Sequence, residues 1–437
     1  MEIYMKDVVI IGGGILGTSL AHWLTKLYEG DICVLEKEDR IASHASGRNT
    51  GVLHRPFYLD PEKNKIFTKS TSLMYDIWKR YTLENNLPWL EVGTLEIAIK
   101  EEQYNHLEKY LKWGELNGID KKDLTLLSRN EVKNLEPNVE CVAALRCKSD
   151  TAVDYSKLTE QLKIDAESNG AKFILNSHVE HVKEDDECVS IHVKNISKPI
   201  QCKLMINCAG GNSIDIAHML NVGKEYTDLH FRGEYWIADQ PYDSIVNTNI
   251  YSVPRHPSFP FLDPHWIIRV DGRRQIGPNA VPVAGPNVYE GIAIDGNELI
   301  SKIIEILQSG TRKLILNPEF LSLFWNEWMS SLSKDVMIKR AQQFIPKLKA
   351  GYFTRKGTAG IRSPVLNNTG KFVSDTIELD GPHTYHILNY NSPGATGAPA
   401  YAAYIINRLE ETKMLNLSRK NKQPGIWNFE QIVSHFN

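Results

Sequence analysis

The stretch from Val8 to Glu36 constrains the fold of this chain more than any other. It runs from four consecutive β-branched residues through Gly12, Gly14 and Gly17 into a helical stripe of leucines, and it ends on Glu36. A strand, a G-x-G-x-x-G turn, a helix and an acid after a second strand form the βαβ unit that binds a dinucleotide, with the pyrophosphate at the helix N-terminus. A carboxylate at Glu36 accepts from both ribose hydroxyls and repels a 2′-phosphate. The sequence therefore predicts a dinucleotide site.

Composition narrows the class of protein. A chain of 437 residues is too long for one ordinary core, so we expect two domains. The net charge of −3 gives no general attraction to nucleic acid. The six cysteines have neither C-x-x-C nor zinc spacing, which predicts reduced thiols and no metal site. The N-terminus does not resemble a targeting peptide and no apolar run has the length of a membrane span, so we expect a cytoplasmic protein with at most peripheral contact at the inner face of the membrane.

The order of the predicted elements divides the nucleotide domain into pieces. After the βαβ unit, segments that suit strands of the same sheet return near 172–175, 204–207 and 385–389. An NAD dehydrogenase normally has a contiguous nucleotide domain, whereas FAD is an extended cofactor whose flavin reaches a second domain. We therefore predict an α/β fold in which a Rossmann-like FAD-binding domain, built from discontinuous segments, carries an inserted α+β substrate domain. The predicted boundaries are 1–60, 151–215 and 351–412 for the FAD-binding domain, 61–150 and 216–350 for the substrate domain, and 413–437 for a C-terminal tail.

Motifs along nearly the whole chain, from Ile10 to about Arg408, resemble the FAD-dependent oxidoreductases of the D-amino-acid oxidase type. Two branches of that family compete. The likeness to L-2-hydroxyglutarate dehydrogenases rests on 51–54, Tyr58, Pro61, Lys65, 135–139, 153–155, 232–235, 260–262, 277–281 and 392–396. The run 46–49, followed by 51 and 53–54, is closer to the catalytic subunit of anaerobic glycerol-3-phosphate dehydrogenase. The hydroxyglutarate branch usually has His at the position of Arg48 and a small residue at that of Arg55.

The resemblance implies a set of FAD-binding residues. They belong to the glycine turn, the end of the second strand, the small-residue loop after it, and later turns. These residues are Gly12, Gly14, Ile15, Leu16, Gly17, Glu36, Lys37, Ser46, Gly47, Arg48, Asn49, Gly51, Val52, Leu53, Val179, Cys208, Ala209, Gly210, Gly394, Ala395, Thr396 and Gly397. The helix that opens at the last turn is expected to present its N-terminus to the flavin, where it stabilises negative charge.

Oxidation of a secondary alcohol by a flavin needs a base for the hydroxyl proton and a cation for the anionic end of the substrate. His54 is the first candidate base, because it follows the cofactor loop and imidazole titrates near neutral pH, and His265 is the second. The alternative for both is a histidine that is only hydrogen-bonded beside the cofactor. Arg362 matches the arginine that such families place near the flavin, with a structural ion pair as its alternative. Further candidates for binding the substrate are Arg48, Arg55, Tyr58, Tyr235 and Arg255, the last followed by His256.

The charge of the small anionic substrate decides between the two branches. Arg48 and Arg55 add guanidinium groups beside the flavin loop, and such groups match the geometry of a phosphate dianion. We therefore expect oxidation of sn-glycerol 3-phosphate to dihydroxyacetone phosphate, with L-2-hydroxyglutarate as the alternative substrate and a non-enzymatic flavoprotein as the minor alternative. One G-x-G-x-x-G unit leaves no second nucleotide site, so the expected electron acceptor is a quinone or an anchoring partner protein, or oxygen in an oxidase.

Overall fold

The structure is a computed structural model that describes residues 5–63, 65–255, 263–309, 311–318, 320–322, 325, 327, 333–421 and 425–436. His256 and the motif at 260–262 lie outside these residues.

The helices are α1 (Ile15–Leu27), α2 (Lys65–Glu84), α3 (Tyr104–Leu116), α4 (Arg129–Leu135), α5 (Tyr155–Ser168), α6 (Ser213–Met219), α7 (Gly296–Gln308), α8 (Thr311–Ile315), α9 (Lys334–Ala341), α10 (Gly394–Glu411) and α11 (Phe429–Ser434). The strands are β1 (Lys6–Ile11), β2 (Ile32–Leu35), β3 (Val52–Leu53), β4 (Trp89–Glu91), β5 (Thr94–Ala98), β6 (Leu124–Ser128), β7 (Ala143–Cys147), β8 (Thr151–Val153), β9 (Lys172–Ile174), β10 (Val179–Glu184), β11 (Val189–Val193), β12 (Ile200–Asn207), β13 (Thr227–Asp228), β14 (His230–Gly233), β15 (Trp236–Ile237), β16 (Asn249–Ser252), β17 (His265–Ile268), β18 (Arg274–Gly277), β19 (Val281–Val283), β20 (Arg355–Lys356), β21 (Gly360–Arg362), β22 (Val365–Leu366), β23 (Ile377–Asp380) and β24 (Thr384–Leu388).

Five parallel strands form the centre of the first sheet, in the order β24–β12–β1–β2–β9. Two antiparallel strands extend this sheet: β11 pairs with β12, and β23 pairs with β24. Val8 and Ile10 of β1 pack in a core with α1, α5 and α10, whereas Val9 and Ile11 pack against β10, β11 and α6. Because both faces of β1 are buried, its sequence is a continuous apolar run rather than an alternating one.

Two tryptophans connect the core beneath the first sheet to the start of α10. Trp23 of α1 and Trp78 of α2 are fully buried. Their indole N–H groups donate to the carbonyl oxygens of Pro399 (2.7 Å) and Thr396 (2.8 Å). A buried indole N–H needs an acceptor, so these bonds fix the first turns of α10 relative to α1 and α2.

A second sheet of eight strands has the order β20–β15–β18–β17–β16–β5–β7–β6, and three smaller sheets have the orders β19–β14–β21, β3–β8–β4 and β13–β22. The small sheets carry candidate residues, because β21 ends at Arg362 and β3 ends directly before His54. The predicted α/β fold class is confirmed, and the domain boundaries stay predictions. Within the described residues, no helix combines the length and the apolar character needed to cross a membrane.

Candidate active site

A cavity of about 760 Å³ connects the glycine turn with a cluster of aromatic and basic side chains. Its walls include the end of β1, the N-terminus of α1, the loop after β2 and the N-terminus of α10. The cluster at the other side of the cavity contains His54, Tyr235, Tyr251, His265 and Arg362. Cofactor sites in proteins commonly have a volume in this range.

The glycine turn brings backbone atoms closer than a side chain allows. Gly12 has a φ of +109°, and a Cβ there would lie 2.4 Å from the carbonyl oxygen of Cys208. A Cβ at Gly17 would lie 2.1 Å from the carbonyl oxygen of Gly12. Gly12 and Gly14 line the cavity, and Gly17 lets α1 pack closely on the turn. The N-terminus of α1 thus borders the cavity, where its N–H groups and dipole suit a pyrophosphate.

The Glu36 carboxylate follows β2 and lines the same part of the cavity. Its Oε2 accepts a hydrogen bond from the Gly13 N–H (2.7 Å), and its Oε1 accepts one from the Glu38 N–H (3.0 Å). These bonds fix the orientation of the carboxylate and leave lone pairs on both oxygens. A ribose diol supplies donors for those lone pairs, as the sequence predicts for the adenosine end of the cofactor.

The loop after β2 folds against the start of α1. Ser46 Oγ accepts a hydrogen bond from the Ile15 N–H (2.9 Å), and the Asn49 side chain donates to the Ser46 carbonyl oxygen (2.9 Å). A Cβ at Gly47 would lie 2.2 Å from the carbonyl oxygen of Ala42, so only glycine permits this compact turn. Ser46 and Asn49 line the cavity as a result.

The predicted FAD-binding residues separate into two groups. Those that line the cavity are Gly12, Gly14, Ile15, Leu16, Glu36, Lys37, Ser46, Arg48, Asn49, Val52, Val179, Cys208, Ala209, Gly210, Ala395 and Thr396. Those outside the lining formed by the described residues are Gly17, Gly47, Gly51, Leu53, Gly394 and Gly397. For this second group, direct cofactor contact stays a prediction, and the structure shows that the glycines among its members allow close packing. A Cβ at Gly51 would lie 2.7 Å from the Val153 carbonyl oxygen, and one at Gly397 would lie 3.0 Å from Ser70 Cβ.

The first turn of α10 completes the wall opposite the glycine turn. Ala395 and Thr396 line the cavity, and Thr396 Oγ1 lies 2.8 Å from the Tyr155 hydroxyl. The dipole of this long helix favours negative charge at its N-terminus. Together with the glycine turn and Glu36, this arrangement fits FAD, with the adenosine end at Glu36 and the isoalloxazine near α10.

His54 lines the cavity and is held by a buried carboxylate. Its Nδ1 lies 3.0 Å from Oδ2 of Asp150, whose side chain has no solvent exposure. The ring of Tyr251 lies edge-on to the imidazole at 5.5 Å between centroids, and that of Tyr58 at 5.8 Å. With Nδ1 engaged by Asp150, Nε2 of His54 remains as the acceptor for a substrate proton.

His265 occupies a drier position in the same cluster. Its Nδ1 lies 3.2 Å from the Asp263 carbonyl oxygen, and its Nε2 lies 3.3 Å from the Tyr235 hydroxyl. Its ring stacks on Tyr251 at 4.3 Å. Burial lowers the pKa of the His265 imidazole to about 3, against the opposing effect of the Asp263 carbonyl. Such a weak base, already bonded at Nε2, suits a role in orienting Tyr235 better than the catalytic role expected as an alternative to His54.

Arg362 supplies positive charge to the cluster. It stands at the end of β21, which pairs with β14, and it lines the cavity. Its charge acts on Tyr58, Tyr235 and His265. Burial lowers the pKa of the guanidinium, which stays protonated because an arginine does not lose its proton in proteins. A half-buried cation among phenol rings suits an anionic group of a substrate.

Arg48 lines the cavity but is bound to the protein at two nitrogens. Its Nε donates to the Ser43 carbonyl oxygen (2.9 Å), and its Nη1 donates to the Ala359 carbonyl oxygen (3.4 Å). The guanidinium lies 3.9 Å from the centroid of the Tyr289 ring. Arg48 therefore joins three segments of the cavity wall, which matches a wall or FAD contact more closely than a free substrate ligand.

Three other predicted substrate-binding residues lie outside the lining that the described residues form. The guanidinium of the buried Arg55 lies 4.4 Å from the centroid of the Tyr75 ring. Arg255 pairs with Asp263, and its Nε donates to Oδ1 at 2.7 Å. The Tyr58 ring lies edge-on to the imidazole of His54. Substrate contact by these three residues stays a prediction.

Sequence reasoning missed several residues of the site. Tyr155, Tyr251 and Tyr289 line the cavity, and Asp150 lies directly behind His54. Asp150 had a usable signal, since it stands in a polar run immediately before a buried strand. Tyr155 belongs to the motif 153–155, whereas Tyr251 and Tyr289 had no signal, because an aromatic residue in a strand-rich segment is as consistent with an ordinary core.

Comparison with known proteins identifies the family. The chain matches the family model described as FAD dependent oxidoreductase over residues 7–408. It is 29% identical over 428 residues to the mitochondrial L-2-hydroxyglutarate dehydrogenase of Caenorhabditis elegans, which covers 94% of this chain and 95% of the relative. It is 28% identical over 408 residues to the L-2-hydroxyglutarate dehydrogenase of Salmonella houtenae, which covers 93% of both chains.

Solved structures with FAD-enzyme folds align over almost the entire chain. Dithionite-reduced L-alpha-glycerophosphate oxidase of Mycoplasma pneumoniae with FAD bound has a TM-score of 0.72 at 23% identity and covers 97% of each chain. Glycine oxidase of Geobacillus kaustophilus has a TM-score of 0.68 at 14% identity and covers 96% of this chain and 100% of its own. At these identities the likeness is one of fold. The predictions of the family and of FAD as cofactor are confirmed, and the chain belongs to the FAD-dependent oxidoreductases of the D-amino-acid oxidase type.

Proposed function

We propose that this enzyme oxidises L-2-hydroxyglutarate to 2-oxoglutarate. Relatives named for that dehydrogenase activity match over more than nine tenths of both chains. The observation that carries the proposal is that a half-buried guanidinium, Arg362, and a histidine whose Nε2 is not engaged by Asp150, His54, line one cavity. A 2-hydroxy carboxylate has its anionic group on the carbon next to the hydroxyl, so it suits one cation and one base held close together.

The positions of the arginines argue against glycerol 3-phosphate, the substrate expected from the sequence. A phosphate dianion is best bound by several guanidinium groups with free N–H donors. Arg55 lies over Tyr75, Arg255 pairs with Asp263, and Arg48 already donates to two backbone carbonyls. Of the four arginines on which that expectation rested, Arg48 and Arg362 line the cavity, whereas Arg55 and Arg255 are outside the lining that the described residues form. We accordingly prefer its alternative, L-2-hydroxyglutarate.

The proposed roles follow from the geometry of the cluster. Bound FAD supplies the acceptor for the hydride that leaves the carbinol carbon. Arg362 binds the carboxylate beside that carbon and thereby orients the hydroxyl toward His54. His54 takes the hydroxyl proton at Nε2, while Asp150 stabilises the imidazolium that results. The rings of Tyr235 and Tyr251 exclude water from the reacting atoms.

We propose a quinone or a partner protein as the electron acceptor, with peripheral attachment at a membrane surface in the first case. The single G-x-G-x-x-G unit supports this, because a second nucleotide site for NAD has no counterpart in the sequence. Oxygen is distinguished from both acceptors by the stoichiometric formation of peroxide.

A dye-linked assay tests the proposed substrate. The FAD-loaded enzyme is given L-2-hydroxyglutarate, its D enantiomer and sn-glycerol 3-phosphate in parallel, and kcat/KM is measured for each. We expect the highest value for the L-hydroxy acid and little turnover of its enantiomer, whose hydride points away from the flavin. A higher kcat/KM for glycerol 3-phosphate contradicts the proposal.

A further inference from the structure

Helix α7 (Gly296–Gln308) turns its apolar side away from the protein. All of its 13 residues are described, and none of them is buried. Glu298, Lys302 and Glu305 share one face, since residues three and four apart are neighbours on a helix. The opposite face carries a stripe of five aliphatic side chains that are between 38% and 63% exposed: Leu299, Ile300, Ile303, Ile304 and Leu307. A surface helix of a globular protein normally has the reverse arrangement, with its apolar stripe on the core.

Polar contacts hold α7 in this orientation. Lys302 Nζ donates to Oδ1 of Asp228 (3.0 Å), and Glu305 accepts a hydrogen bond from the Thr227 hydroxyl. The Glu298 side chain lies directly over Gly285. Rotating the aliphatic stripe inward would break these contacts and bury the apolar side chains against charged groups. The outward stripe is therefore a consequence of specific contacts on the inner face.

The exposed apolar residues continue beyond the helix on both sides. Two precede it, three follow it, and α8 packs against α7. We call the whole set the apolar surface: Ile292, Ile294, Leu299, Ile300, Ile303, Ile304, Leu307, Leu316, Leu321 and Trp325. Single exposed apolar residues are common on soluble proteins, but a group of this size indicates an interaction site.

The inner side of α7 borders the active-site cavity. Asp228, which accepts from Lys302, lines that cavity, and so does Pro286, the neighbour of the Gly285 that Glu298 covers. The apolar surface and the cavity consequently lie on the two sides of one layer of the structure.

We propose that the apolar surface docks this enzyme on an anionic lipid bilayer that holds its electron acceptor. The identity of the acceptor as a quinone rests on the proposed function, whereas the docking rests on the apolar surface and on the charges of α8. Arg312 and Lys313 are exposed on α8, which packs against α7, and on a chain whose net charge is −3 they complement anionic headgroups. Trp325, 58% exposed, is of the residue type that is enriched at membrane interfaces.

Vesicle sedimentation of the FAD-loaded full chain tests the docking. We expect binding to phosphatidylcholine vesicles that contain phosphatidylglycerol, and weaker binding to phosphatidylcholine alone. The double variant Ile300→Glu/Ile304→Glu should lower the partition coefficient about tenfold or more. The reason is that two aliphatic side chains that insert into the bilayer in the wild type become charged. The matched control is Leu83→Glu/Leu116→Glu, which makes the same change at side chains that are 79% and 65% exposed outside the apolar surface. The control should bind vesicles like the wild type.

Two activity readouts separate docking from chemistry. Dye-linked turnover should be equal in the wild type and both double variants, whereas reduction of a long-chain quinone embedded in vesicles should fall only in Ile300→Glu/Ile304→Glu. Equal vesicle binding by the wild type and that variant overturns the proposal. A dimer that this variant dissociates, without vesicle binding by the wild type, also overturns it and assigns the surface to a second copy of the chain. Failure of the dye-linked assay with L-2-hydroxyglutarate refutes the proposed substrate and leaves the vesicle result standing.

Discussion

Nδ1 of His54 lies 3.0 Å from Oδ2 of Asp150, a carboxylate that is completely shielded from solvent. The same Oδ2 accepts a hydrogen bond from the Thr94 hydroxyl (2.8 Å), and Oδ1 accepts one from the backbone N–H of Arg55 (2.7 Å). With these donors directed at it, Asp150 acts as an acceptor only and favours the tautomer of His54 with the proton on Nδ1. The proposed base therefore presents Nε2 to the cavity before any substrate arrives.

We expect Asp150→Asn to slow flavin reduction by the substrate about 10²–10⁴-fold while FAD remains bound. The amide of an asparagine would place its own N–H group against the groups that donate to the carboxylate in the wild type. His54 would therefore lose both its orientation and the stabilisation of its charged form. Anaerobic stopped-flow measurement of the rate of flavin reduction across pH checks this. We expect the pH dependence of that rate to shift, in addition to the fall in its maximum. Asp120→Asn, at an exposed aspartate, is the matched control. An unchanged profile with reduced thermal stability would mean that Asp150 is only structural.

His54→Gln should reduce the rate of flavin reduction more than His265→Gln does. The first variant removes the only one of the two imidazoles that offers a free nitrogen to the cavity, which costs about 10²–10⁴-fold. His265 has its pKa lowered to about 3 by burial and faces the Tyr235 hydroxyl, so its loss disturbs a neighbour rather than the proton acceptor. Rapid-reaction kinetics on both variants measure the difference, and equal losses would contradict the assignment of the base to His54.

Arg362→Ala should weaken capture of the substrate about 10- to 150-fold, because a hydrogen bond to a charged group contributes about 1.5–3 kcal/mol. The affinity of Arg362→Lys for the substrate should lie between those of Arg362→Ala and the wild type, since lysine keeps the charge but lacks the planar guanidinium. Arg55→Ala is the contrasting variant, because its guanidinium lies over Tyr75 and not in the cavity lining that the structure describes. We expect it to lower stability without raising KM. Steady-state kinetics together with thermal melts check both expectations, and a raised KM for Arg55→Ala would return that residue to the site.

Gly12→Ala and Gly14→Ala should fail in different ways. A Cβ at Gly12 would lie 2.4 Å from a backbone carbonyl at a φ of +109°, so the first variant should lower the melting temperature of the apoprotein. A Cβ at Gly14 would meet only the Ser46 hydroxyl, at 3.0 Å, so the second variant should retain most of that stability but bind FAD more weakly. Melts of the apoprotein and FAD titrations separate the two effects. Similar melting temperatures for both apoproteins would contradict the geometry of the turn.

Glu96 gives the stability of this protein a pH dependence. Burial and the charge of Asp150 raise its pKa from 4.5 to about 8. Between these values the folded state keeps a proton that the unfolded chain releases, so the free energy of unfolding falls as pH rises, by at most about 1.4 kcal/mol per pH unit. Glu96→Gln removes this effect and should gain stability relative to the wild type as pH rises from about 5 to 8. Urea titrations across this range measure the gain, with the exposed Glu102→Gln as control. A difference independent of pH would contradict the raised pKa.

The parts of the site that sequence reasoning predicted are those set by neighbours along the chain. The strand, the glycine turn and Glu36 lie within one βαβ unit, and their spacing alone indicates the contacts they make. The direction of Arg55 depends on Tyr75 of α2, and the role of Asp150 depends on a histidine 96 residues earlier in the chain. For α7, periodicity predicts a helix with two unlike faces, but Asp228 and Thr227 decide which face turns inward. Pairings over such separations leave no periodic signal.

The strand order β24–β12–β1 has a consequence for how the enzyme is made. β1 leaves the ribosome well before β12, and β24 and the start of α10 follow only after β12 and the long segment behind it have been synthesised. Contacts between such distant segments form slowly, because a long loop must be closed before they are gained. The cofactor pocket is therefore completed late, and a nascent chain exposes the apolar edge of β12 until β24 has been made. Loading of FAD is consequently a late step, and truncation before residue 384 removes the last parallel strand together with the helix end that lines the cavity.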